Sequence, residues 1–101
     1  MRLNHASISL EAEADIDQIA AYTAEVWGVR QTNRYLDQLE DAFQLLTKNP
    51  SIGRSCDAIQ SGLHRFEVGK HVVFYRTELG GIRVIRVLHQ QMLPVQAHFE
   101  W

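Results

Sequence analysis

LHRFEVGKHVVFYRTELGGIRVIRVLHQ, residues 63–90, decides the fold. Its three runs, LHRFEV, HVVFYRTEL and IRVIRVLHQ, are rich in β-branched and aromatic residues. Gly69-Lys70 and Gly80-Gly81 separate them and suit two-residue primed turns, so the stretch predicts three strands joined by two hairpins. With both turns of two residues, Val68 faces His71 and Leu79 faces Ile82. Alternation then gathers His64, Phe66, Val68, Val73, Tyr75, Val84, Arg86 and Leu88 on one face. The other face collects Arg65, Glu67, Val72, Phe74, Arg76, Arg83, Ile85, Val87 and His89. The first face is the more apolar and is expected beneath the helices. Arg86, on that side, should pair with an acid of the helices or with the Tyr75 hydroxyl. The second face mixes Phe74, Ile85 and Val87 with three arginines and a histidine, and amphipathic patches of this kind mark binding surfaces.

Upstream, NHASISL alternates polar and apolar residues as a short strand does. Ser9 can cap a helix whose first turns carry Glu11, Glu13, Asp15 and Asp17, acids that favour the positive dipole end. Ala12, Ile16, Ile19, Thr23, Val26 and Trp27 form its apolar stripe, and Gly28 ends it. A second helix follows, with Val29, Leu36, Leu39, Phe43 and Leu46 spaced three and four apart and widened by Tyr35, Ala42 and Leu45. Lys48 sits at its negative end and Asn49-Pro50 stops it. Two helices joined by about two residues must fold back on each other. Residues 51–62 read as an ordered loop, and LPVQAHFEW could add a short helix after Pro94. The expected fold is α+β, in the order β-α-α-β-β-β: one domain over residues 1–101, with a helical hairpin on a small antiparallel sheet.

Composition narrows the functional classes. Hydrophobic residues make up 46% of the 101 and charged residues 22%, as in a soluble domain that is neither disordered nor membrane-spanning. The opening MRLNHASISL lacks the apolar core of a secretory signal. A lone cysteine, Cys56, cannot form an internal bridge, fits a reducing cytosol and reads as inert. The net charge of −2 hides an asymmetry: residues 63–92 hold Arg65, Lys70, Arg76, Arg83 and Arg86 against Glu67 and Glu78. That excess suits an anionic partner, either an acidic peptide surface or phosphate; an uneven surface with no partner is the plainer reading.

Catalytic signals are sparse. His89, Glu67 and Arg65 could assemble on the second face as base, acid and cation of a metal-free nuclease. The five histidines, at positions 5, 64, 71, 89 and 98, have no compact ligand spacing, so neither metal nor cofactor is expected. A glycine-rich phosphate loop and a nucleophile elbow are both missing. Trp27 and Tyr35 flank the helix turn, where they either cement the hairpin or anchor a partner.

Three stretches together resemble the ParE toxins of bacterial toxin–antitoxin modules, within the RelE/ParE superfamily. SLEAEADIDQIAAYTAEVWG (9–28) is similar to the family's first helix, with its acidic start, Tyr-Thr pair and closing Trp-Gly. NPSIGRSCDAIQSGLHRFEVGKHVVFYR (49–76) resembles its loop and first hairpin, and IRVIRVLHQQM (82–92) its last strand and His-Gln-x-Met ending. The likeness runs from about Ile8 to Met92.

The resemblance implies a cytoplasmic toxin that binds rather than cleaves. Its expected target is DNA gyrase, at the cleavage-reunion subunit, and a ParD-type antitoxin neutralises it by laying a C-terminal segment along its surface. DNA would be reached only through that antitoxin, and no membrane is involved. The RelE branch instead cleaves ribosome-bound messenger RNA. Val72 and Glu67 stand where that branch has an arginine and a lysine, which argues against nuclease chemistry. The ending also departs from the commoner ParE pattern, with Gln91 for an arginine and Leu93 for an aspartate. The expected antitoxin surface is Arg65, Phe74, Arg76, Arg83, Ile85, Val87 and His89. Trp27, Met92, Phe99 and Trp101 are the candidates for target contact. An inert member that only binds antitoxin is a further alternative.

Overall fold

In the computed structural model, which describes residues 5–91, the chain ends its first strand against its last. The elements are β1 (His5–Ile8), α1 (Leu10–Trp27), α2 (Val29–Lys48), β2 (Arg54–Ser55), β3 (His64–Val68), β4 (His71–Glu78) and β5 (Gly81–His89). Together they give the expected α+β order, with a two-residue strand added in the loop. The sheet runs β1-β5-β4-β3-β2. It is mixed rather than wholly antiparallel, because β1 pairs in parallel with β5. Strands joined by tight turns must run antiparallel, but β1 reaches the sheet through the helical crossover and is free of that constraint.

Ser9 sets where the crossover begins. Its hydroxyl accepts from the amide of Ala12 at 3.0 Å, capping α1, and donates to the carbonyl of Ile85 at 2.7 Å. Its own amide donates to the carbonyl of Val84. The helix therefore starts bonded to the edge of β5 just where β1 stops, and edge groups that would otherwise invite a foreign strand are covered.

At the far end of α1 a single residue, Gly28, turns the chain into α2. Its φ of 90° lies where side chains are disfavoured, its amide caps α1 through Ala24, and its carbonyl receives the amide of Thr32. The hairpin packs Ala12 and Ile19 of α1 and Leu39, Ala42, Phe43 and Leu46 of α2 onto the sheet. There they meet Val68, Val73, Tyr75, Ile82, Val84 and Val87. The last turn of α1 overshoots this core: Val26 and Trp27, expected on the buried stripe, are exposed, as is Val29.

Register departs from the expectation in two places. Val68 does face His71, but the second turn is Leu79-Gly80, with Glu78 opposite Gly81. Gly80 takes the positive φ that this turn needs. A β-bulge follows, because Tyr75 pairs with Val84 while Phe74 pairs with Arg86, so Ile85 is the extra residue. One added residue reverses every side chain beyond it. Val87 therefore joins the helix-side core, and Leu88 moves to the opposite face with Cys56, Leu63, Val72, Phe74 and Ile85.

Tyr75 fixes the loop that precedes the hairpins. Its buried hydroxyl donates to the Pro50 carbonyl at 2.7 Å and accepts from the Gly53 amide at 3.0 Å. A Cβ at Gly53 would lie 2.2 Å from that hydroxyl and 2.8 Å from the Arg65 carbonyl, so only glycine permits the approach. The anchored loop delivers Arg54 and Ser55 to the edge of β3. Any helix after Pro94 lies outside the described residues.

Candidate binding surfaces

The sheet face opposite the helices carries five of the predicted antitoxin contacts: Arg65, Phe74, Arg76, Arg83 and Ile85. They do not form an open amphipathic bed. Phe74 is 2% exposed and Ile85 is fully buried, both within a second small core with Cys56, Leu63, Val72 and Leu88. What this face presents is the charge around that core. The Arg65 guanidinium lies over the Phe74 ring, 5.8 Å from its centroid. Arg65 and Arg54 both donate to Glu67. Although burial works against the ion, those two arginines hold the Glu67 carboxyl below its ordinary range. Further along, Arg76 lies 4.0 Å from Glu78, and Arg83 donates to the Ser7 hydroxyl, which donates to Glu78. Four arginines against two glutamates leave the face cationic. Cys56 is buried beneath it, and burial pushes its thiol upward, away from the reactive thiolate.

Val87 and His89 stand elsewhere, and the bulge at Ile85 is the reason. Val87 packs under the helices, and its amide donates to Asp15 of α1 at 3.0 Å. Beside it Arg86 donates twice to the same carboxylate, through Nε at 2.7 Å and Nη2 at 2.9 Å. That hydrogen-bonded pair outweighs burial and raises the guanidinium further above its ordinary range. Arg86 is thus the paired helix-side cation expected from the sequence. His89 also lies on the helix side, across the sheet from Glu67 and Arg65. The three candidates for a nuclease set are therefore not brought together.

His89 meets His71 edge to face, with centroids 5.4 Å apart, and His71 meets Tyr35 of α2. The Tyr35 hydroxyl donates to the Val68 carbonyl at 2.8 Å, so its oxygen accepts from Nδ1 of His71 at 2.6 Å. Burial pushes the Tyr35 hydroxyl upward in pKa, and burial together with His89 pushes His71 downward. The unfolded chain binds the His71 proton near its ordinary value of 6.5, the folded chain only lower. Stability from this group should be complete above pH 6.5 and fall as pH drops through the window beneath it. Urea unfolding at pH 7.5 and about 5.5 should show a larger loss for the native chain than for His71→Gln. Equal losses would remove His71 as the cause.

Around this trio the end of the helical hairpin and the β3–β4 turn enclose a cavity of about 500 Å³. Trp27 and Tyr22 wall it while remaining 68% and 66% exposed. Of the candidates for target contact, Trp27 therefore stands at an open cleft; Met92, Phe99 and Trp101 lie outside the described residues. Sequence reasoning misses Tyr22, Lys70 and His71, which also line the cleft. Two signals in the sequence could have marked Tyr22: it falls off the apolar stripe of α1, and it belongs to the Tyr-Thr pair that carries part of the family resemblance. Among the described residues no group of three histidines, cysteines or carboxylates is placed to hold a metal.

A family model described as the ParE toxin of the type II toxin–antitoxin system, parDE, matches residues 6–94. This chain belongs to the ParE toxin family. It is 43% identical over 86 residues to Toxin ParE1 of Mycobacterium tuberculosis, covering 84% of this chain and 88% of the relative. Toxin ParE1 of Caulobacter vibrioides is 39% identical over 87 residues, with the same coverage of both chains. A solved chromosomal ParDE system from P. aeruginosa superposes with a TM-score of 0.73 at 15% identity, over 86% of this chain and 96% of that one, a likeness of fold.

In this ParE toxin the two positions expected to depart from the ribonuclease branch have structural occupations. Val72 is buried in the core of the arginine-bearing face, and Glu67 bridges two arginines. At the start of the ending the Gln90 amide donates to the Lys70 carbonyl at 2.9 Å and the Gln91 amide to Nδ1 of His89 at 3.2 Å. No helix among the described residues is long and apolar enough to cross a membrane.

Proposed function

We propose that this ParE toxin acts in the cytoplasm by binding DNA gyrase at its cleavage-reunion subunit, and that a ParD-type antitoxin neutralises it in a hetero-oligomer. The observation that carries the reading is the separation of its would-be catalytic groups. A metal-free nuclease needs base, acid and cation around one phosphate. Here His89 lies on the helix side, while Glu67, on the other face, is held ionised by Arg54 and Arg65 and so is poorly suited to donate a proton. The antitoxin's acidic segment is drawn to Arg65, Arg76 and Arg83, through charge-assisted hydrogen bonds rather than apolar contact with Phe74 or Ile85. Val87, beneath the helices, contributes only by fixing the strand.

Supercoiling by purified gyrase, set beside ribosome-dependent translation, tests this. Relaxed or cleaved plasmid with intact translation is expected. Truncated messenger with normal supercoiling would replace the reading with a ribonuclease, and no effect in either assay would leave only antitoxin binding.

A further inference from the structure

We propose that the cleft between the helical hairpin and the β3–β4 turn is a second anchoring site for the antitoxin, taking an acidic amphipathic segment in which an apolar side chain sits beside a carboxylate. The proposal rests on the antitoxin reading above and names a site separate from the arginine face.

The chemistry of the walls selects that occupant. Tyr22, Trp27 and Tyr35 provide aromatic surface, while Lys70, His71 and His89 provide nitrogen groups, and no aspartate or glutamate is among the lining residues. The adjoining hollow on the α1 side does contain Asp15, but its carboxylate is taken by Arg86 and the Val87 amide. A carboxylate entering the cleft thus meets a cation and donors with no competing anion at the wall.

One of the two histidines is set for the task by its neighbour. The Tyr35 hydroxyl is committed as a donor to the Val68 carbonyl, so neutral His71 spends its proton on that oxygen through Nδ1 and has no N–H left for a carboxylate. The Gln91 amide donates to Nδ1 of His89, so the neutral His89 ring carries its proton on Nε2. His89 is therefore a hydrogen-bond donor already in its neutral form, with Lys70 on the neighbouring turn as the full charge.

Exposure of the aromatic wall points the same way. Val26 and Val29 extend the exposed surface of Tyr22 and Trp27 across the helix junction. Large apolar groups clustered at a cavity mouth favour a partner with apolar side chains. A nucleic-acid backbone, a row of phosphates, would find a single full cation, Lys70, in the lining. A second copy docking by symmetry would set Lys70 and the histidines against their own equivalents.

The test uses the full chain and the antitoxin from its neighbouring gene, with binding followed by calorimetry. Trp27→Ser and Lys70→Glu are both surface changes, and thermal unfolding checks that each variant folds. Each should weaken antitoxin binding by about tenfold, and the Lys70→Glu defect should be recovered by an acid-to-lysine change in the antitoxin segment. Unchanged affinity in both folded variants overturns the cleft while leaving the antitoxin reading intact. A wild-type chain that fails to bind the antitoxin overturns the reading itself, and the cleft with it. Sedimentation supplies the last arm: self-association abolished by the same variants, with antitoxin affinity unchanged, would assign the cleft to a second copy.

Discussion

Replacing Asp15 with alanine is expected to lower the free energy of unfolding by about 3 kcal/mol. The Asp15 carboxylate accepts two bonds from Arg86 and one from the Val87 amide, and its side chain is 11% exposed. Removing it takes two bonded acceptor oxygens from a mostly covered guanidinium and the acceptor from the Val87 amide. Losing bonds to a covered carboxylate is costly because water does not readily replace them. Arg54 and Glu67 make the contrasting pair: the Arg54 side chain is 70% exposed, and exposed pairs contribute little. Urea unfolding of Asp15→Ala and Glu67→Ala measures both. A loss under about 1 kcal/mol for Asp15→Ala would mean that α1 is held to β5 by packing alone. Because α1 also walls the cleft, that variant should lose antitoxin affinity along with its stability.

Reversing the charge of the arginine face should have the largest effect on recognition. Arg65→Glu combined with Arg83→Glu is expected to weaken antitoxin binding by on the order of 30-fold, mainly through slower association. Both arginines lie at the rim of a buried apolar patch, where charge steers an acidic segment and sets its register. Arg65→Gln with Arg83→Gln separates loss of attraction from new repulsion and should give a smaller drop. The effect should shrink as salt rises, since the Debye length falls to about 8 Å at physiological ionic strength. Surface plasmon resonance across a salt series reads both trends. An affinity that neither pair of changes alters would remove this face from the complex.

Much of the architecture was legible in the chain. The cap at Ser9, the end of α1 at Gly28, the stop at Asn49-Pro50 and the turn at Gly69-Lys70 are local signals with local causes, and each lies where expected, although the helix junction is one residue rather than about two. The bulge was not legible. Glycine often marks such a site, but here Val84, Ile85 and Arg86 give no local hint, because β5 is buried on both faces and a strand buried on both sides has no alternation to lose. That one residue moved Val87 and His89 away from the predicted surface and put Leu88 in their place. The parallel pairing of β1 was equally hidden, since it is set by a contact between the two ends of the sequence. Tyr35, Lys70 and His71 are far apart or ordinary in the sequence, and only the folded hairpin makes a cleft of them.

A titration of gyrase supercoiling against increasing toxin tests the central claim most directly. A protein that works by occupying its target should inhibit in proportion to the amount added, levelling off near equivalence with the gyrase present, and an excess of antitoxin should reverse the effect. Complete inhibition at a small fraction of that amount, left unreversed by antitoxin, would mean that the chain turns over a substrate and is an enzyme rather than a binding inhibitor.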